Sequence, residues 1–222
     1  MRGRKKNPDI RAAILACAAE VFAEREFHEV LTDDIAAKLS IGKGTIYRYF
    51  DSKEALYFAT IVEGIQGMHA AVSAALEQSA PIAVRLQRLV ETMLGYFWDR
   101  RDFFILLHRH EPKLDPRERA EWQQRREEIV DVVRRVLEDA LPRGSIAGRH
   151  PQLAVEILLG MVRSACLYRD PADRLPTLAN VITTAFLQGM TCDASSLGGS
   201  GRRLRVIAPR RLHPVRGGRA RV

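Results

Sequence analysis

Two short helical patterns separated by a turn, in residues 35–54, constrain this chain more than any other segment. The apolar positions that keep helical spacing on either side of the turn are Ile35, Ala36, Leu39, Ile46 and Phe50. Between them, Ser40-Ile41-Gly42 interrupts the period with turn-prone residues, while Ile41 supplies an apolar side chain for the core. The segment therefore predicts a helix-turn-helix.

The outward positions of the second short helix carry cations and hydroxyls, which suit a DNA groove. We expect the following residues to contact DNA: Thr32, Lys43, Gly44, Thr45, Tyr47, Arg48, Tyr49 and Lys53. Lys43, Thr45 and Arg48 are candidates for the groove, and the two tyrosines for the backbone. Thr32 and Lys53 begin the flanking helices, where a helix N-terminus favours a phosphate. An ordinary solvated face would explain the lysines but not two exposed tyrosines.

The run Ile41-Gly-Lys-Gly-Thr-Ile-Tyr-Arg-Tyr-Phe50, followed by Ser52-Lys-Glu-Ala-Leu56, resembles the signature of TetR-type (TetR/AcrR) transcriptional regulators. The resemblance covers roughly residues 8–68. It implies the same DNA-contacting roles for the positions above, an effector pocket in the remaining helices, and a repressor that leaves its operator when a small molecule binds.

The chain divides into four parts by pattern and charge. A basic arm (1–7) precedes the helix-turn-helix domain (8–68), a helical effector-binding and dimerisation domain (69–193) and an Arg-rich tail (194–222) that we expect to be disordered. The predicted fold is all-α, with a three-helix DNA-binding head and a C-terminal helical domain. The net charge of +8 comes from the tail, because residues 195–222 contain eight arginines and no acid. The arm and the tail either add affinity for phosphates or are solvated extensions.

Helical periods predict six further elements. They cover residues 52–78, the stripe Leu86–Phe97, residues 103–108, residues 116–140, residues 151–168 and residues 175–190, with residues 142–148 as a loop. The first of these joins the head to the rest and contains Gly64 and Gly67, which cost helix stability unless close packing or a bend uses them. Ser52 or Asp51 is expected to cap it.

The last two predicted helices are apolar over a wide arc, so each must bury two faces. Two helices from each of two chains would form a four-helix interface, with Phe186 as one candidate outward residue. The alternative is that both helices are central in the core of a monomer. Because a helix-turn-helix usually reads two half-sites, we favour a homodimer.

The pocket implied by the resemblance should be lined by large, adaptable side chains. The candidates are Met68, Met93, Tyr96, Phe97, Phe104, Trp122, Met161 and Tyr168. Each of them is equally a plausible core residue.

Other classes of protein find little support in the sequence. No catalytic constellation or phosphate-binding Gly-rich loop occurs, so we expect neither an enzyme nor a cofactor. His108, His110 and Glu111 fit surface residues at a helix end better than a metal site, and the cysteines, including Cys166 and Cys192, fit packing better than a redox switch. With no membrane-spanning apolar run, the chain is predicted to be cytoplasmic. The alternatives are a helical binding or enzyme domain with an accessory helix-turn-helix, or an activator without a ligand.

Overall fold

The fold is described by a computed structural model for residues 7–77, 80–109, 116–139 and 145–190. Within these ranges it contains α-helices, one 3₁₀ turn (Phe27–Glu29) and no β-strand. The helices are α1 (Pro8–Glu24), α2 (Thr32–Lys38), α3 (Lys43–Tyr47), α4 (Lys53–Leu76), α5 (Ile82–Asp99), α6 (Arg101–His108), α7 (Pro116–Glu138), α8 (Ile146–Arg149), α9 (Pro151–Tyr168) and α10 (Leu175–Met190). The prediction of an all-α fold is confirmed. The predictions for the tail, for residues 1–6, for His110 and Glu111, and for Cys192 concern positions outside the described residues.

The head consists of α1, α2, α3 and the first turns of α4. Asn7 caps α1, because its side-chain oxygen accepts from the Asp9 N–H at 2.9 Å. Three aromatic rings form the centre of the head, with Tyr57 set edge-on to Phe22 at 5.0 Å and to Phe27 at 5.3 Å. These packed rings hold α1 against α4.

The helix α4 runs from the head into the body and packs against α1, α5, α6 and α7. Its N-cap is Ser52, whose hydroxyl accepts from the Ala55 N–H at 3.0 Å. A Cβ at Gly64 would lie 2.0 Å from the Phe103 ring, and one at Gly67 would lie 2.3 Å from the Tyr96 hydroxyl. The glycines therefore serve close packing, one of the two uses expected from the sequence.

The body is built from the rest of α4 and from α5 to α10. In α5, the predicted stripe is buried throughout: Leu86, Leu89, Val90, Met93, Leu94 and Phe97. That helix packs against α4 on one side and against α9 and α10 on the other, and α7 closes the body against α4 and α9.

Several boundaries differ from the predicted ones. The apolar pattern predicted that the second short helix continues to Phe50, but α3 ends at Tyr47. After α3 the Tyr49 N–H donates to the Ile46 carbonyl oxygen at 2.9 Å, which is the three-residue spacing of a tighter turn. The predicted loop 142–148 was wrong in part, since Ile146–Arg149 forms a helical turn. The hydroxyl of Ser145 accepts from the Gly148 N–H at 3.1 Å and so caps this turn.

One face of α9 and α10 remains uncovered. Leu153, Leu167, Tyr168 and Val181 are exposed, with Val181 at 57%. By contrast, Phe186 is 2% exposed, so the prediction that it points outward was wrong; it packs in the protein's own core. Among the described residues, no helix combines the length and the apolar character that a bilayer crossing needs.

Candidate nucleic-acid surface and effector cavity

The turn between α2 and α3 positions the short helix α3 at the surface. Ser40 adopts a left-handed backbone with φ of 53°, and the Ile41 N–H then bonds to the Ala36 carbonyl at 3.0 Å. Gly42 precedes α3 and offers no side-chain cap. Ile46 faces inward and is 1% exposed, so the opposite side of α3 faces outward.

That outward side carries most of the predicted DNA-contacting residues. Lys43, Gly44, Tyr47 and Arg48 are exposed, and Thr45 is half-buried. The ammonium of Lys43 donates to Asp33 at 2.7 Å, and this hydrogen bond raises the pKa of Lys43, which is therefore charged at neutral pH. A Cβ at Gly44 would meet no atom within 4 Å, so the surface there is open.

The remaining predicted residues also hold the head together. Thr32 is 5% exposed, and its hydroxyl lies 3.1 Å from that of Tyr47, so it supports Tyr47 from beneath. The Tyr49 hydroxyl accepts from the Asn7 N–H at 2.8 Å and lies 3.2 Å from the Asn7 carbonyl oxygen. The start of α1 is thereby fastened to the end of the helix-turn-helix.

Lys53 points into the head. Its ammonium donates to the carbonyl oxygens of Phe27 and Val30, at 2.8 and 2.9 Å, and lies 4.3 Å from the centre of the Phe27 ring. These contacts occupy the amine with internal partners. Lys53 is therefore placed to stabilise the 3₁₀ turn and the loop after it.

A cavity of about 830 Å³ lies in the body, between α4, α5, α6, α7 and α9. Its apolar lining includes Ile61, Ile65, Met68, Met93, Phe97, Leu106, Trp122, Ile129, Val130 and Val162. This volume and lining are typical of small-molecule sites in proteins.

Four of the eight predicted pocket residues line this cavity: Met68, Met93, Phe97 and Trp122. The other four do not. The Tyr96 hydroxyl is drawn to α4, where it donates to the Gly64 carbonyl at 2.9 Å. Phe104 borders a separate cavity, Tyr168 is 84% exposed, and Met161 is half-buried on the same helix as Tyr168.

Sequence reasoning missed the charged part of the cavity. Among the described residues, Arg109, Arg119, Arg126 and Arg163 all line it, together with one carboxylate, Glu156. Both oxygens of Glu156 accept from Arg126, at 2.8 and 2.9 Å. The sequence did contain a sign of this charged lining: one face of α7 carries Arg119, Trp122 and Arg126 at helical spacing. A charged helix face is more often an ordinary solvated surface, so the sequence alone does not identify it as part of a cavity.

Burial favours the uncharged forms of two side chains that border cavities of the body, His108 and Cys166. Burial lowers the pKa of His108, which lines the main cavity, and the nearby Arg163 lowers it further, although the bond to the Phe104 carbonyl opposes both. Burial raises the pKa of Cys166 to about 11. This thiol borders a second cavity of about 340 Å³ together with Trp98, Phe104 and Arg169.

Comparisons with known proteins agree with both parts of the molecule. The family model described as "Bacterial regulatory proteins, tetR family" matches residues 14–60, and the model "Tetracyclin repressor-like, C-terminal domain" matches residues 79–188. The chain is 26% identical over 123 residues to the HTH-type transcriptional activator FasR of Mycolicibacterium smegmatis. That alignment covers 55% of this chain and 56% of FasR, so it spans about half of that relative.

Two solved structures with the same fold were determined with ligands. AibR, in complex with isovaleryl coenzyme A and operator DNA, has a TM-score of 0.65 and 22% identity, covering 79% of this chain and 96% of AibR. FadR from Bacillus subtilis, in complex with stearoyl-CoA, has a TM-score of 0.66 and 16% identity, covering 81% of this chain and 98% of FadR. At these identities the likeness establishes the fold alone.

Proposed function

Because this chain belongs to the TetR family of bacterial transcriptional regulators, we propose that it is a repressor that a small-molecule effector releases from its operator. The observation that carries this proposal is the course of α4. The helix starts directly after the helix-turn-helix, at Lys53, and its middle residues Ile61, Ile65 and Met68 form one wall of the large cavity. A ligand in the cavity therefore touches the helix on which the DNA-binding surface rests.

The surface of α3 supports DNA binding through its own chemistry. Lys43 and Arg48 offer cations, and Thr45 and Tyr47 offer hydroxyls, all from the side of α3 that faces away from the core. Arginine and lysine side chains pair with guanine edges and phosphates, and hydroxyls bond to phosphates. In this proposal Thr32, Tyr49 and Lys53 hold the surface in shape, and Gly44 lets the DNA backbone approach closely.

The uncovered face of α9 and α10 supports a homodimer. Leu153, Leu167 and Val181 lie exposed on these two helices. Gly189 of α10 is open as well, since an added Cβ there would meet no atom within 4 Å. A symmetric pair of these faces would form the four-helix interface expected from the sequence. Two heads would then reach two half-sites about 34–36 Å apart.

Effector release follows from that spacing. A ligand that binds better when the heads are held at another distance shifts the population away from the DNA-binding form. The ligand needs only a few kcal/mol of differential affinity to do this, since typical coupling energies are about 1–3 kcal/mol.

The lining of the cavity favours one chemical class of effector, an amphipathic anion. Apolar side chains from α4, α5 and α6 suit an acyl or other hydrocarbon group. The excess of arginines over carboxylates among the described lining residues, four to one, suits a carboxylate or phosphate. The acyl-coenzyme A ligands of AibR and FadR combine these two features, which supports the same class here.

One observation favours activation of transcription as the alternative to repression. FasR, which aligns with 123 residues of this chain, is named as a transcriptional activator. Activation and repression use the same DNA surface and differ in where the operator lies relative to the promoter. Either way, we infer that the protein acts in the cytoplasm, where the genome of a bacterium lies, and that it performs no catalysis.

The first experiment identifies the operator and the sign of regulation. Sheared genomic DNA is passed over the purified protein, and the retained fragments are sequenced. We expect a pseudo-palindromic site, and a promoter carrying it should be silenced by the protein in a reporter strain. Fragments without a shared site would contradict the proposal, and stimulation of the reporter would identify an activator.

The second experiment tests the dimer. Val181→Glu places a charge in the proposed interface, where a desolvated unpaired charge costs several kcal/mol. The matched control is Val84→Glu, because Val84 is also an exposed valine, 41% accessible, but lies near the start of α5 and not on α9 or α10. We expect V181E to sediment as a monomer and V84E as a dimer. Wild-type protein that sediments as a monomer at micromolar concentration would contradict the proposal.

A further inference from the structure

Arg109 holds the C-terminal end of α1 from a different part of the fold. Its Nη1 donates to the carbonyl oxygens of Phe22 and Arg25, at 2.7 and 2.9 Å, and its Nη2 donates to that of Ala23, at 3.1 Å. The last turn of α1 contains no basic residue, and the chain leaves the helix at Arg25 in an extended conformation. The final carbonyls of a helix lack intrahelical donors and carry partial negative charge, so the guanidinium caps α1.

The same side chain lines the large cavity. Arg126 is paired there with Glu156, and Arg119 and Arg163 are exposed and form no ion pair with the described residues. Arg109 differs from all three, because its partners are backbone oxygens of the head. It follows directly after α6, whose residues Leu106, Leu107 and His108 also border the cavity.

The far end of α1 is bonded to the helix-turn-helix. Asn7, its N-cap, exchanges hydrogen bonds with the Tyr49 hydroxyl, which lies two residues beyond α3. Arg11 also pairs with Glu63 of α4 at 3.2 Å. A helix of 17 residues is about 25 Å long, so α1 is a stiff connection between the cavity arginine and the DNA-binding surface.

We propose that Arg109 is the residue through which the effector acts on the head: the anionic group of the effector binds its guanidinium and displaces the α1 carbonyls. This inference rests on the proposed function, in which the cavity takes an amphipathic anion. A carboxylate or phosphate competes well with the α1 carbonyls for the guanidinium. Two parallel hydrogen bonds between a cation and an anion are stronger than hydrogen bonds from the cation to neutral carbonyl oxygens. The uncapped end of α1 then loosens and the head changes its orientation.

The first test compares two arginines of the cavity in the protein without ligand. Arg109→Gln removes the cap, whereas Arg163→Gln removes a cavity guanidinium that makes no contact with α1. Hydrogen exchange of the amides in residues 20–27 should become at least tenfold faster in R109Q and should not change in R163Q. If R109Q fails to fold, Arg109→Lys serves instead, because a single amine cannot reproduce the three-carbonyl geometry.

The second test adds the probes oleate and stearoyl-CoA to the wild-type protein and to both variants, with the operator fragment present. In the wild type, a saturating probe should raise exchange at residues 20–27 to the rate of ligand-free R109Q and weaken operator binding at least tenfold. R163Q should need more probe but show the same weakening at saturation. R109Q should bind the operator equally, within twofold, with and without the probe. A response to oleate alone identifies a carboxylate ligand, and a response to stearoyl-CoA alone a phosphate-bearing one.

Each unfavourable result has its own meaning. A probe that binds the wild type without changing exchange at the end of α1 would overturn the role of Arg109 and leave the effector cavity in place. Equal exchange in R109Q and the wild type would overturn the capping role. If neither probe binds, the effector class put forward under Proposed function is wrong, and the proposal for Arg109 falls with it.

Discussion

The head and the body of this molecule use their side chains in opposite ways. In the head, inward residues pack closely around the ring of Tyr57, and the residues with DNA chemistry stand on the outside of α3. In the body, the outside carries the uncovered apolar face of α9 and α10, and the charged and apolar side chains of interest line a cavity of about 830 Å³. In the proposed function, the head would bind DNA through the side chains that it exposes, and the body would bind the effector in the space between its helices.

The comparison predicts that outward residues of the head can be removed at little cost in stability. In the double variant Lys43→Ala/Tyr47→Ala, the lost ion pair with Asp33 is exposed and therefore contributes little to stability. We expect operator affinity to fall roughly 1,000-fold, since two contacts at each of two half-sites cost about 1 kcal/mol apiece. Electrophoretic mobility shift and thermal melting measure the two quantities.

The control for that variant is Lys38→Ala. Lys38 is also an exposed lysine of the head, but it pairs with Glu20 of α1 at 3.2 Å and lies at the end of α2. Its loss should change operator affinity less than tenfold. If the double variant kept its operator affinity, the outward side chains of α3 would not be the DNA contacts. If it lost helical content, those side chains would be needed for folding.

Glycine-to-alanine changes sharpen the comparison, because the same methyl group meets different surroundings. Gly64→Ala places a Cβ against the Phe103 ring in the body, so the ring or the backbone of α4 must shift. Overpacking of this kind costs about 1–3 kcal/mol, which corresponds to a fall in Tm of roughly 2–12 °C for a chain of this size. Calorimetry measures the shift.

The matched change in the head is Gly44→Ala, where the new Cβ meets no atom within 4 Å. There the higher helix propensity of alanine should preserve stability or raise it by up to about 1 kcal/mol, whereas operator affinity should fall if DNA approaches the backbone at this point. A Tm that drops as far in G44A as in G64A would contradict the assignment of close packing to Gly64.

The smallest predicted effect concerns two thiols, one in each region. Burial raises the pKa of Cys17 in the head, and raises that of Cys166 in the body to about 11, so at pH 8 only about one Cys166 in 1,000 is a thiolate. Cys166 should react with a disulfide reagent roughly 100-fold more slowly than a model thiol. Cys17 should also react more slowly than a model thiol, because burial raises its pKa. Cys166 should react before Cys17, because it borders a cavity.

This measurement requires Cys192→Ser, so that the third cysteine adds no signal, and mass spectrometry of the labelled peptides. The order of labelling tests whether the body opens more readily than the head. Labelling of Cys17 first would reverse that conclusion.

The sequence predicted the parts of the structure in which local pattern and packing coincide. The helix-turn-helix, the buried stripe of α5 and the limits of α9 and α10 follow directly from helical spacing. The close packing at Gly64 was one of two expected uses of a glycine inside a helix. The boundaries of α3 and the turn α8 were not predicted, because a single hydroxyl cap or a tightened turn decides them.

The candidate sites were only partly predictable, for a physical reason. Side-chain size identifies Met68 and Trp122 as pocket residues, but it does not separate them from Phe104, which faces another cavity. Arg109 was missed because its significance depends on the end of α1, 84–87 residues earlier in the chain. Contacts of such long sequence separation leave no periodic signal.

The bond between Asn7 and Tyr49 also fixes where the basic arm of the chain is attached. Since Asn7 lies against the end of the helix-turn-helix, Arg2, Arg4, Lys5 and Lys6 are tethered at the edge of the proposed DNA surface. Six residues reach at most about 20 Å, which is less than one helical turn of duplex, about 34 Å. Any base preference contributed by these cations is therefore confined to base pairs within about one helical turn of the half-site that the same head contacts.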